Sequence, residues 1–207
     1  MGNRQVTGNA QADNNGAPDH GYVSRAGLKL AAALDAFGVD PAGKVCADLG
    51  SHVGGFVDVL LRRGARRVYA IDTAYGLLDH RLRRDSRVVV MERTNALHVQ
   101  LPEPCHLVTI DVGWTRQQHI LPAAARLVAE DGRIISLVKP HYEADRSQLC
   151  CGVLPEELVE PVVSNVYRQC ERIGLEVLAR TDSPVRGRAG NREVFLLLRP
   201  APPTCPG

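Results

Sequence analysis

The sequence predicts an α/β protein with a mostly parallel sheet and helices on both faces, and three observations support this. Short apolar runs alternate with segments of helical periodicity between residues 45 and 139. The connections between them are short, as expected when crossover helices join parallel strands. Two further apolar runs, joined by a turn-rich segment at residues 183–191, predict an antiparallel strand pair at the C-terminus.

Each element follows from its local pattern. A first helix is predicted from Ser24, expected to cap it, to Gly38, because its leucines and alanines recur at helical spacing. The predicted strands are VCADLG (45–50), RVYAID (67–72), VVVME (88–92), HLVTID (106–111), RIISLVK (133–139), LEVLAR (175–180) and EVFLLLR (193–199). The other predicted helices are GGFVDVLLRRG (54–64), GLLDHRLRR (76–84), LPAAARLVAE (121–130) and a helix around residues 162–173.

Length and composition predict one folded domain, at residues 22–199, because 207 residues with 44% hydrophobic content suit a single core. Residues 1–21 are predicted to be a disordered polar tail and residues 200–207 a proline-rich tail. The net charge of +2 is weak for binding nucleic acid by charge alone. Without a membrane-length apolar run, a secretory signal or metal-ligand cysteine spacing, we expect a cytoplasmic protein with reduced thiols, no membrane contact and no metal.

A cofactor turn follows the first strand, in the segment DLGSHVGGF (48–56). Its glycines permit a tight turn, and a helix N-terminus comes next. Asp72, 24 residues after Asp48, ends the second strand, where a carboxylate is placed to bind a ribose. Because the turn lacks the glycine spacing of dinucleotide or phosphate-binding loops, it favours S-adenosylmethionine as cofactor.

Charged residues also gather at this edge of the predicted sheet. Asp111 and Lys139 end strands, Glu193 opens one, and Lys29 lies on the first helix. The chain has only three lysines, which makes the position of Lys139 notable. Singly, these residues could be a helix cap, a surface ion pair, or lysines reaching from the surface into water. Together they predict a catalytic site.

The segments YVSRAGLKL, DLGSHVGGF, RRVYAID, MERTNA, VTIDV, LVKP and GNREVF resemble the hemolysin-type (TlyA) branch of the FtsJ-like RNA methyltransferases across residues 22–199. The resemblance implies a Rossmann-like fold that uses S-adenosylmethionine to methylate ribose 2′-hydroxyls of ribosomal RNA. It implies the catalytic residues Lys29, Asp111, Lys139 and Glu193. It implies the cofactor-binding residues Asp48, Gly50, Ser51, Gly54, Gly55, Phe56, Asp72, Asn95 and Asp111.

The chemistry of this set suggests that Lys139 is the base. A neutral amine can accept the hydroxyl proton, and a second lysine nearby would favour the neutral form. Lys29 and Asp111 would then position substrate and base, and Glu193 would support them. Arginine could not replace Lys139, because arginine is not deprotonated in proteins.

The sequence departs from relatives in parts that could face the substrate. About 21 residues precede the YVSR segment, where relatives carry a small RNA-binding module, and HYEAD (141–145) replaces a Gln-Phe-Glu-Ala-Gly type loop. The substrate candidates are Trp114, His141, Tyr142, Arg186, Arg188 and Arg192. Trp114 and Tyr142 could form a stacking wall, although Trp114 could equally pack in the core, and the arginines could form a basic edge or merely decorate a hairpin turn.

Two functions therefore remain open. One is methylation of ribosomal RNA, with RNA found through the basic edge or a partner. The other is methylation of a small molecule by the same domain, which the low net charge favours. A pore-forming role lacks support, since no amphipathic membrane segment is present. The sequence leaves open the oligomeric state and whether residues 140–158 form a lid.

Overall fold

The computed structural model describes residues 21–201, so the predictions for residues 1–20 and 202–207, including Cys205, lie outside the described residues. Seven strands form one sheet in the order β3-β2-β1-β4-β5-β7-β6. Strands β1 to β5 run parallel, and β7 pairs antiparallel with both β5 and β6. The predicted fold class is confirmed, including the antiparallel C-terminal pair.

The elements alternate along the chain as the sequence pattern predicts. The strands are β1 (Val45–Leu49), β2 (Arg67–Ile71), β3 (Val88–Met91), β4 (Cys105–Ile110), β5 (Val128–Val138), β6 (Leu175–Asp182) and β7 (Val194–Pro200). The helices are α1 (Ala26–Phe37), α2 (Gly55–Arg62), α3 (His80–Arg83), α4 (Gln117–Leu127), α5 (Pro140–Glu143) and α6 (Glu156–Arg172). Short 3₁₀ turns lie at Arg146–Gln148 and Arg188–Gly190. Strand β7 includes Pro200, one residue beyond the boundary predicted for the domain.

Two apolar layers cover the faces of the sheet. Side chains alternate between faces along a strand, so Val45, Ala47 and Leu49 of β1 join one cluster with α4 and α6. Cys46 of the same strand joins the other cluster, with α1 and α2. All five residues of β1 are buried, which explains why central strands read as nearly continuous apolar runs.

Several predicted boundaries were wrong: α4, β5 and α6 begin four to six residues earlier than predicted, at Gln117, Val128 and Glu156. Arg25, not Ser24, is the N-cap of α1, and no side chain caps that helix. The helix predicted at 76–84 is shorter in the structure, where α3 begins after Asp79. The Asp79 side chain accepts a hydrogen bond from Arg81 N and so caps the start of this helix. The helix predicted to continue through residues 128–130 ends at Leu127, because Val128 begins β5 by pairing with Cys105 of β4.

The segment after Lys139 turns at once into a short helix. Pro140 is its first residue, a position where the missing N–H of proline is harmless. The long connection at residues 140–155 thus contains α5, a 3₁₀ turn and a tight turn closed by Cys150 and Val153. Within residues 21–201, no helix is both long and apolar enough to cross a bilayer.

Candidate active site

A cavity of about 500 Å³ opens at the carboxyl ends of β1, β2, β4 and β5. In open α/β sheets, ligands bind at this edge. The cavity is lined by Ser24, Asp48, Gly50, Ser51, Gly55, Phe56, Asp72, Asn95, Asp111, Trp114 and Lys139, among others. The cavity therefore collects most of the cofactor residues predicted from the sequence.

The turn after β1 depends on glycine at two positions. Gly50 has φ +90°, and a Cβ there would lie 2.6 Å from the carbonyl oxygen of Asp111. Gly54 has φ +99°, and a Cβ there would lie 2.2 Å from Leu82 Cδ1. Larger side chains would push the turn away from its neighbours, so the glycines keep the cavity open beside the backbone.

Asp48 has a buried carboxylate that faces the cavity. Its Oδ1 accepts a 2.7 Å hydrogen bond from Thr109 Oγ1, whereas its Oδ2 is buried without a hydrogen-bond partner. Burial, with a smaller contribution from the nearby carboxylates of Asp111 and Asp72, outweighs the opposing Thr109 hydrogen bond and raises the pKa of Asp48 to about 8. An unpartnered acid at the floor of a cavity is suited to receive a positively charged group.

Ser24 is a cavity residue that the sequence reasoning missed. Its Oγ is buried without a partner, although the residue lines the cavity before α1. A Cβ on Gly55 would lie 2.3 Å from this oxygen, so glycine at 55 makes room for it. The sequence pattern predicts Ser24 only as a helix cap, and its position at the cavity becomes visible only in the folded chain.

Asp72 and Asn95 line the cavity on the side of β2 and β3. Both oxygens of Asp72 accept backbone hydrogen bonds, from His52 N at 2.8 Å and Ala74 N at 2.7 Å. Asn95 Oδ1 accepts a 3.0 Å hydrogen bond from Leu97 N. These contacts fix both side chains at the rim, because a carboxylate or amide oxygen held by the backbone cannot rotate freely.

Lys139 forms an ion pair with Asp111 at the mouth of the cavity. Its Nζ lies 2.6 Å from Asp111 Oδ1 and donates a 2.9 Å hydrogen bond to Val112 O. The two residues follow the adjacent parallel strands β5 and β4. Their side chains are 15% and 18% exposed, so the amine is partly sheltered but still reachable from the cavity.

Lys29 and Glu193 form a second, more deeply buried pair. Lys29 Nζ lies 2.5 Å from Glu193 Oε2, and the two side chains are 8% and 4% exposed. Glu193 precedes β7, whose Val194 pairs with Val138, so it lies at the same edge as Lys139. Gly187 was not predicted from the sequence, yet a Cβ there would lie 2.3 Å from Glu193 Oε1. Each lysine thus has its own carboxylate.

An aromatic cluster lies beside these pairs. The rings of Trp114 and Tyr142 are 4.9 Å apart, and those of Tyr142 and His141 are 4.1 Å apart. Trp114 is 85% exposed, which excludes core packing. A groove of about 470 Å³ runs from this cluster and is lined also by Arg116, Arg146, Ala189 and Asn191. Trp114 borders both the groove and the first cavity.

The arginines predicted as a basic edge are placed differently. Arg192 bonds Asp182 at 2.8 Å and Glu156 at 2.8 Å, so its charge is neutralised within the fold. Arg186 donates to Gly190 O and lies 3.9 Å from Glu156. Arg188 lies in the 3₁₀ turn of this hairpin. Neither Arg186 nor Arg192 is among the described residues that line the first cavity or the groove.

The strand order and the cavity at the carboxyl ends of the strands define a Rossmann-like fold with a ligand site at its usual edge. A candidate S-adenosylmethionine-dependent methyltransferase from Listeria monocytogenes shares the fold, with a TM-score of 0.63 at 14% identity over 86% of this chain and 100% of that one. Within residues 21–201, no group of three or more histidine, cysteine, aspartate or glutamate residues is placed to hold a metal ion.

The chain belongs to the FtsJ-like methyltransferase family, which it matches over residues 22–200. It is 40% identical over 187 residues to the 16S/23S rRNA (cytidine-2′-O)-methyltransferase TlyA of Mycobacterium tuberculosis, covering 87% of this chain and 69% of that protein. It is 30% identical over 177 residues to the 23S rRNA (cytidine-2′-O)-methyltransferase TlyA of Campylobacter jejuni, covering 84% and 69%. A candidate hemolysin structure from Streptococcus thermophilus has a TM-score of 0.84 at 35% identity, covering 87% and 67%.

Proposed function

We propose that this methyltransferase transfers a methyl group from S-adenosylmethionine to a ribose 2′-hydroxyl of ribosomal RNA. The observation that carries the proposal is a pair of lysine–carboxylate contacts at one edge of the sheet, Lys139–Asp111 at the cavity and the more deeply buried Lys29–Glu193. Two related proteins that match most of this chain are named as rRNA (cytidine-2′-O)-methyltransferases. This substrate also implies that the protein acts in the cytoplasm, where ribosomes are found.

The residues around the cavity fit S-adenosylmethionine. Asp48 Oδ2 and Ser24 Oγ are buried polar atoms without partners, which is costly unless a ligand completes their hydrogen bonds. Asp48 would accept from the amino group of the cofactor, and Ser24 would donate to its carboxylate. Asp72 would bind the ribose hydroxyls, and Asn95 would lie near the adenine. When bound, the cofactor supplies an electrophilic methyl group on a sulfonium sulfur.

Lys139 would act as the base. The 2′-hydroxyl must lose its proton as the new bond forms, and the neutral amine of Lys139 would accept it, giving an ammonium group that the Asp111 carboxylate stabilises. Asp111 holds the amine by its 2.6 Å contact, and Val112 O fixes its direction. Lys29, anchored by Glu193, would position the substrate oxygen for in-line transfer. Alignment of hydroxyl and methyl group supplies a large part of such catalysis.

Trp114 and Tyr142 would hold the target nucleoside. Single-stranded RNA is bound by stacking of unpaired bases on aromatic side chains. An indole that is 85% exposed at the junction of cavity and groove suits this role better than a small-molecule pocket, which usually encloses its ligand. Arg116 and Arg146, which line the groove, would provide positive charge near the RNA backbone in place of Arg192.

The decisive experiment is methyl transfer from radiolabelled S-adenosylmethionine to unmethylated ribosomal RNA transcripts, with mapping of the modified position. Transfer to a ribose 2′-oxygen supports the proposal. RNA binding should also weaken as salt is raised, by about one power of salt concentration per phosphate contact. Cofactor binding without any RNA binding at low salt would refute the RNA assignment and favour the small-molecule alternative.

A further inference from the structure

His141 is a buried polar residue beside the catalytic pairs that their proposed mechanism does not use. It is the second residue of α5, two positions after Lys139, and is only 7% exposed. Its ring borders the groove and lies 4.1 Å from the ring of Tyr142. His141 is thus the member of the aromatic cluster that is close enough to Lys139 and Lys29 to be affected by their charges.

The two nitrogens of this imidazole have different surroundings. Nδ1 is buried and has no hydrogen-bond partner. A buried N–H without a partner is rarer in proteins than an unsatisfied acceptor, so the favoured tautomer leaves Nδ1 bare and carries the proton on Nε2. The side of the ring that borders the groove can then offer a donor.

The imidazole is also held in its neutral form. Burial, together with the smaller effect of the positive charges of Lys139 and Lys29, lowers the pKa of His141 to about 4. The titratable and charged groups around the ring are Lys139 and Lys29 with their partners Asp111 and Glu193, Glu143 of the same helix, and the groove residues Arg116 and Arg146. At neutral pH His141 is therefore an uncharged hydrogen-bonding group with one donor and one acceptor nitrogen.

We propose that His141 donates a hydrogen bond from Nε2–H to an acceptor atom on the base of the methyl-accepting nucleoside. This inference rests on the proposed RNA function and adds a residue that positions and selects the substrate. The acceptor would be a carbonyl oxygen or an unprotonated ring nitrogen, which pyrimidine edges present. A base stacked on Trp114 or Tyr142 would bring such an edge to the ring while its ribose reaches Lys139.

Two substitutions separate this role from a structural one. His141→Leu removes both nitrogens, and His141→Gln keeps a side-chain donor of similar reach. A buried polar group without a partner does not stabilise the fold, so the leucine variant should unfold at the same temperature as the wild type or higher. It should nevertheless lose about tenfold in kcat/KM for RNA, the value of one hydrogen bond near 1.4 kcal/mol. The glutamine variant should stay within about threefold.

The readouts are thermal unfolding, calorimetric affinity for S-adenosylmethionine and methyl transfer to ribosomal RNA transcripts at pH 6–9. Cofactor affinity should be unchanged, and the ratio of wild-type to leucine-variant activity should be constant across this range because the ring stays neutral. Full activity in the leucine variant, or parallel loss of stability and activity in both variants, would overturn the inference. An inactive wild type would instead overturn the proposed RNA function, on which the inference depends.

Discussion

Lys139 Nζ lies 2.6 Å from Asp111 Oδ1, and the two residues extend from the carboxyl ends of the neighbouring parallel strands β5 and β4. In the register Ile110 is opposite Ser136, so Asp111 is level with Leu137 and Lys139 lies two residues beyond it, within reach of a long side chain. The sheet therefore fixes the distance between the proposed base and its carboxylate. Rigid strands hold a catalytic geometry more accurately than loops can.

Replacement of Lys139 should abolish turnover and leave cofactor binding nearly unchanged. Lys139→Ala removes the amine, and Lys139→Arg keeps the charge but cannot give up a proton, so both should lose about 10²- to 10⁴-fold in kcat. Methyl transfer and calorimetric cofactor titration provide the measurements. Lys44→Arg is the matched control, because Lys44 precedes β1 at the opposite edge of the sheet. Substantial turnover in Lys139→Arg would exclude the amine as base.

Loss of one partner of the Lys29–Glu193 pair should lower the free energy of unfolding. Glu193→Leu leaves a buried lysine without its carboxylate, which costs about 3–5 kcal/mol of unfolding free energy. The double variant Lys29→Met/Glu193→Leu should recover most of that loss, because apolar side chains can replace a buried ion pair, yet it should remain inactive. Chemical denaturation of the single and double variants tests this. A single variant as stable as the wild type would contradict the buried pairing.

Sequence reasoning found the edge of the sheet at which this site lies, because strand ends can be identified from apolar runs. It found Lys139 and Asp111 for the same reason. It did not find Ser24, because the side chain of Ser24 lies against Gly55 of α2 only once the chain is folded. It also included Arg192 in a candidate basic edge, because its acidic partners Asp182 and Glu156 come together only in the folded chain.

Asp48 should make both stability and cofactor affinity depend on pH. The folded carboxyl keeps its proton up to about pH 8, whereas an unfolded one loses it near pH 4. Between these values the unfolded chain binds fewer protons, so stability should fall as pH rises. Asp48→Asn should flatten that slope in thermal unfolding measured from pH 5 to 9. An equally steep slope in the variant would show that another group causes it.

The ionisation of Asp48 should also affect the affinity for the cofactor. A positively charged amino group favours the ionised form of Asp48, so affinity for S-adenosylmethionine should increase as pH rises towards about 8. The asparagine variant should bind more weakly and lose this dependence, as measured by calorimetry with the cofactor. Wild-type affinity in Asp48→Asn would remove Asp48 from the cofactor site.

Ser24 should contribute to affinity without contributing to stability. Its hydroxyl has no partner within the fold, so Ser24→Ala should leave the unfolding midpoint unchanged or raise it. The lost hydrogen bond to a charged carboxylate should weaken cofactor binding by about 1.5–3 kcal/mol, roughly 10- to 150-fold. Calorimetry separates the two effects. If alanine lowers stability and leaves affinity intact, the hydroxyl serves the fold instead.

Trp114 should matter for RNA and hardly at all for folding. With 85% of its surface exposed, Trp114→Ala should change the free energy of unfolding by less than about 0.5 kcal/mol. Loss of base stacking should weaken binding of a single-stranded RNA oligonucleotide by about 1–3 kcal/mol, while Trp114→Phe retains most of the affinity. Fluorescence anisotropy at fixed salt measures both. Because Trp114 also borders the cofactor cavity, S-adenosylmethionine affinity is measured in parallel, and a loss confined to the cofactor would assign the indole to that site.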